Sequence, residues 1–71
     1  MEQVIEVRRV VGGWCVAAEG RIEPTLFLSG GRAEDAARRL ACGLADAGCD
    51  ARVLVRDAQN ILVGAHRYFA P

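Results

Sequence analysis

The side chains here that could act as nucleophile or base are Cys15, Cys42, Cys49, Ser29 and the single histidine, His66. A cysteine–histidine pair needs the imidazole within hydrogen-bond reach of a thiol. The strand registers read below put Cys15 and His66 on one open sheet face, so that pairing stays open at this stage. Cys42 and Cys49 fall toward the end of a helix, where the negative pole of the dipole disfavours a thiolate. No CxxC spacing occurs, and a four-ligand zinc site would have to take all three cysteines plus His66. Ordinary reduced thiols are the simpler reading. Gly30-Gly31 beside Arg32 offers free backbone N–H groups at a helix start, yet GxGxxG and GxxxxGKS/T are both absent. It is read as a flexible strand-to-helix turn. The sequence therefore predicts no catalytic residue, no cofactor and no metal site, and a chain that is not an enzyme.

The element that must organise the rest is Ser29 to Gly48. Ala33, Ala36, Ala37, Leu40, Ala41 and Leu44 recur at spacings of three and four, which places them on one stripe of a helix. Ser29 is the expected N-cap, with Gly31 as a competitor, and Gly48 is the expected stop. Glu34 and Asp35 sit early, toward the positive pole, and each precedes an arginine by four residues, Arg38 and Arg39. A stripe of alanines lets such a helix lie close against a sheet.

The flanking segments read as strands. Val4 to Val11 and Trp14 to Ala18 enclose Gly12-Gly13, a hairpin signal. With Gly12-Gly13 as a two-residue loop, Val11 opposes Trp14, Arg9 opposes Val16 and Val7 opposes Ala18. One face then holds Ile5, Val7, Val11, Trp14, Val16 and Ala18, with Arg9 as its one misfit. The other holds Glu6, Arg8, Cys15 and Glu19 with Val4 and Val10, and Glu6 opposes Glu19 unfavourably. Gly20 to Pro24 is a predicted turn and Thr25 to Leu28 a short third strand. Ala51 to Arg56 and Ile61 to Ala65 form a second hairpin. A three-residue loop, Ala58-Gln59-Asn60, pairs Val55 with Val63 and Val53 with Ala65. Val53, Val55, Ile61, Val63 and Ala65 would then share the covered face, and Arg52, Leu54, Arg56, Leu62 and His66 the other. The aromatic tail His66 to Pro71 is expected to pack back.

The expectation is thus one domain over residues 1–71, an α+β fold. Its order is strand, strand, strand, helix, strand, strand, with a small antiparallel sheet and the helix on one face. A hydrophobic fraction of 52% excludes a disordered tail. Net charge is zero, so nothing global draws the chain to nucleic acid or an anionic membrane. All nine basic residues are arginine, a sign of genomic base composition that also suits interface ion pairs. No run approaches a membrane span, and the first residues lack the pattern of a signal peptide. A cytoplasmic location is expected by elimination.

One helix covers one sheet face. The opposite face is predicted to carry Arg8, Cys15, Arg52, Leu54, Arg56 and Leu62, a mixed surface suited to a homodimer or another protein partner. Nucleic acid is the competing partner. Arg8, Arg52, Arg56 and Arg67 could grip a backbone, but Glu6 and Glu19 share the face and no aromatic interleaves for base stacking. The Gly12-Gly13-Trp14 hairpin with Val16 and Glu19, then Ser29 with Ala33, Ala37, Leu40 and Ala41, then Asp57, Asn60-Ile61 and Tyr68, resemble a family of short bacterial proteins classed as a domain of unknown function. Members usually have glycine where Asn60 stands. That resemblance implies a fold and no catalytic residues. A second similarity, in strand order and in a Gly-Gly hairpin before an alanine-rich helix, is to HicB-like antitoxins. It implies a regulatory, nucleic-acid-binding role.

Overall fold

The computed structural model describes residues 2–20 and 24–71. The elements are β1 (Gln3–Val10), β2 (Gly13–Ala18), β3 (Thr25–Phe27), α1 (Gly30–Asp46), β4 (Ala51–Arg56) and β5 (Leu62–Tyr68). They form an α+β fold in the expected order, one helix against one face of a five-stranded sheet. The sheet order is β3-β2-β1-β4-β5. It is mixed: three pairings are antiparallel, as expected, and the central β1/β4 pairing is parallel. A parallel pair needs a long crossover, and β2, β3 and α1 lie between its strands in the chain. The predicted Gly20–Pro24 turn lies mostly outside the described residues.

Both helix ends follow the expected chemistry. The Ser29 hydroxyl accepts a hydrogen bond from the Arg32 N–H at 3.4 Å, as the N-cap. At the other end Gly48 takes φ +94°, its N–H donates to Ala45 C=O at 3.0 Å, and Cys49 N–H donates to Leu44 C=O at 2.8 Å. Those two bonds are the Schellman closure that a glycine permits. With Ser29 as cap, Glu34 and Asp35 fall beyond the first turn, so the expected dipole contribution is not realised. Asp35 takes both arginines, Arg39 at 3.1 Å and Arg38 at 3.7 Å, instead of leaving Arg38 to Glu34.

The buried stripe is sharper than predicted: Ala33, Ala37, Ala41 and Ala45 at strict four-residue spacing, with Ala36, Leu40 and Leu44 half-buried beside it. Methyl-sized side chains let the helix settle onto Ile5, Val7, Val16, Ala51 and Val53, the sheet's share of the core.

The first hairpin differs from expectation by two residues. Val10 pairs with Gly13, so Val11-Gly12 is the turn, and Arg9 opposes Trp14. Gly12 supplies the positive φ, +84°. Gly13 is needed for another reason: a Cβ there would stand 2.3 Å from the Phe27 carbonyl oxygen. A slip of two preserves each side chain's face. It also places Glu6 opposite Ala17, which removes the unfavourable Glu6–Glu19 pair. Arg9, the apparent misfit, lies with its guanidinium 5.6 Å from the Trp14 ring centroid, a cation–π distance. The indole in turn abuts Gly30, where a Cβ would come within 2.9 Å of the ring.

The second hairpin has the predicted three-residue loop, with Asn60 left-handed at φ 63°. Asn60 N–H donates to Asp57 C=O, and Asp57 N–H to Ile61 C=O, both at 3.0 Å. Beyond the loop the predicted register fails. A bulge sets Val63 and Gly64 against Val55, so Val53 pairs with His66 and Leu54 with Ala65. His66 therefore joins the helix side of the sheet, Ala65 joins the open side, where Arg67 lies as expected, and β5 runs on to Tyr68. Tyr68 packs back against the core as expected, whereas Phe69 is exposed. The tail is tied by Ala70 N–H donating to Asp50 Oδ1 at 2.8 Å.

Candidate interaction surface

Strand alternation gathers all six predicted surface residues on the open face: Arg8 and Cys15 from β1 and β2, Arg52, Leu54 and Arg56 from β4, and Leu62 from β5. Their environments differ. Cys15 is 8% exposed, between Arg8 and Leu26 on the neighbouring strands. Leu54 is half-buried, and Leu62 is exposed.

The arginines converge, but with acids between them. Glu6 holds Arg8 at 2.6 Å and Arg56 at 3.6 Å. Glu2 holds Arg67 at 3.5 Å and Arg52 at 3.7 Å. The sequence reading missed Glu2, because its place beside β4 depends on the parallel pairing. Arg56 also donates to Asn60 C=O at 3.2 Å, linking this ladder to the β4–β5 loop. The Arg8 hydrogen bond lowers the Glu6 pKa below 4.5; burial opposes this, and the charges of Arg8 and Arg56 assist it. The Arg52 Nε, which faces Glu2 at 3.7 Å, is shielded from solvent and has no hydrogen-bond partner among the described residues.

Cys15 and His66 do not meet. They lie on opposite faces, on strands three places apart, or about 14 Å at the usual strand spacing. Cys42 is exposed and Cys49 half-buried. Among the described residues no three metal-ligating side chains cluster, and no helix is long and apolar enough to cross a membrane.

The exposed apolar side chains stand at the two margins of the sheet. Val11, Leu26 and Leu28 flank an apolar hollow of about 160 Å³ at the β3 side. Ile61, Leu62, Val63 and Phe69 stand along the β5 side. On the helix face a groove beside β5 is lined by Val63, Gly64 and His66 below and by Glu34 and Arg38 of α1 above. Sequence periodicity could not have found the β5 cluster, since its run of apolar residues marks a strand on either face. Comparison of the chain with models of known protein families, with curated proteins and with solved structures gives no match.

Proposed function

We propose that this chain is a small non-enzymatic module that acts by protein association, above all with a second copy of itself. One observation carries the reading. Among the described residues only Ile5 and Val7 are large side chains buried completely, while Val11, Leu26, Leu28, Ile61, Leu62, Val63 and Phe69 stand exposed. So small a core gains stability from covering that surface. The separation of Cys15 from His66 supports the non-enzymatic part.

A nucleic-acid role is the second reading, favoured by the convergence of Arg8, Arg52, Arg56 and Arg67. Glu2 and Glu6 neutralise half of that charge, which weakens a backbone grip. Molar mass by light scattering over a concentration series, with and without a mixed nucleic-acid pool, separates the two. A dimer that forms with concentration and ignores nucleic acid is the expected result. A monomer that gains mass only with nucleic acid, and loses it in salt, would move the arginines to the front.

A further inference from the structure

The two edges of the sheet are unequal. β3 has three residues, whereas β5 has seven, and beyond its bulge Ala65 to Tyr68 run in regular register with no proline. Long edges of that kind are usually blunted, because their outward N–H and C=O groups template another strand. The hydrogen bonds show which groups face outward. At the loop Asp57 N–H donates to Ile61 C=O, so these two residues turn their backbone groups toward each other's strand. Alternation then makes Leu54/Ala65 and Arg52/Arg67 non-bonded pairs, and Val53/His66 a bonded one. An independent bond agrees: Asp50 C=O accepts from Gln3 N–H of β1 at 2.9 Å, so even-numbered residues of β4 turn their backbone groups away from β5. Ala65 and Arg67 therefore aim their N–H and C=O groups off the edge.

We propose that β5 pairs antiparallel with β5 of a second copy, about a two-fold axis between the two His66 residues, joining two sheets into one. This rests on the association reading above and names its surface. The axis position follows by elimination. An axis at Arg67 sets arginine against arginine, which is unfavourable. An axis at Ala65 brings Arg67 against the bulged Val63, where the ladder is irregular. An axis at His66 pairs Ala65 with Arg67 of the second copy, and the reverse, so every outward group of the regular strand finds a partner. It places Tyr68 across from Gly64 of the second copy, where an aromatic ring covers the bare backbone.

The two imidazoles then face each other across a non-bonded pair, with Cβ atoms about 5 Å apart. The other charged groups over that site are Glu34 and Arg38 of α1, one of each sign; β4 contributes only Val53 and Val55. A fixed like charge placed at both positions would therefore oppose the pair.

The test is molar mass of the full chain over about 10 µM to 1 mM, for wild type and three variants. Wild type is expected to dimerise over this range. His66→Ala should keep the dimer. His66→Lys, which sets two fixed charges against each other across the axis, should weaken it about tenfold or more. Ala65→Pro, at an N–H that faces solvent in the monomer, should abolish it with the fold retained by circular dichroism. A dimer indifferent to His66→Lys overturns the β5 pairing while leaving association in place, whether or not Ala65→Pro folds. A wild-type chain monomeric throughout overturns both.

Discussion

The two faces of this sheet are built on different physics. Under the helix, Ala33, Ala37 and Ala41 are fully buried against Ile5, Val7 and Ala51, and no charged side chain is buried among the described residues. That face is set by shape. On the open face Glu2 and Glu6 hold four arginines, with side chains of the ladder between 26% and 55% exposed. It is set by charge in contact with water, where each pair is weak and screened by salt. A face held that way tolerates substitution.

The largest expected effect is on the covered face. Ala37→Leu should destabilise by about 3 kcal/mol or more, since the helix must lift from the sheet. That is a fall in Tm of roughly 12 to 24 °C for a chain of this size. The same enlargement at exposed Ala17 on the open side should stay within about 0.5 kcal/mol. Thermal melts of the pair measure the contrast directly, and equal losses would break it.

Gly30→Ala is expected to cost about 1 kcal/mol. The added Cβ presses on the Trp14 ring, which can shift, and alanine recovers part of the loss through helix propensity. Because Trp14 is the sole tryptophan, its emission should move with the melt. A stability loss without an emission change would place the strain elsewhere.

Glu6→Gln should cost only about 0.5 kcal/mol, and less at high salt. Its pH signature is the sharper test. The folded carboxyl titrates below 4.5, so it contributes stability that is present above the unfolded value and is lost as pH falls through the lowered folded one. The wild-type advantage over Glu6→Gln should therefore vanish in acid, as chemical denaturation at several pH values would show. An advantage that grows in acid would contradict the ladder.

Much of the covered face was legible in the sequence because it is periodic. The alanine spacing gave the helix, Ser29 and Gly48 gave its ends, and Asn60 gave the three-residue loop. The six open-face candidates followed from parity in β1, β2 and β4, which a two-residue slip does not disturb. What escaped depends on contacts between distant segments. Gly13 reads locally as a turn residue, yet its role is the close approach of Phe27. The β1/β4 parallel pairing, and with it the place of Glu2, depends on strand order that no local pattern encodes. The bulge falls in Ile61-Leu62-Val63-Gly64-Ala65, an unbroken apolar and small run whose register nothing in the alternation fixes. That single bulge moved His66 from the open face to the helix side and brought Ala65 to the open face in exchange.

The most direct test of the account is hydrogen exchange at single amides of β5 across a concentration series at neutral pH. Association through this edge predicts that the Ala65 and Arg67 N–H groups exchange freely in dilute solution and become protected as concentration rises. Leu26 at the other margin should not change. Protection at Ala65 and Arg67 that stays constant over the range where the mass doubles would contradict it, and the partner surface would have to be sought elsewhere on the molecule.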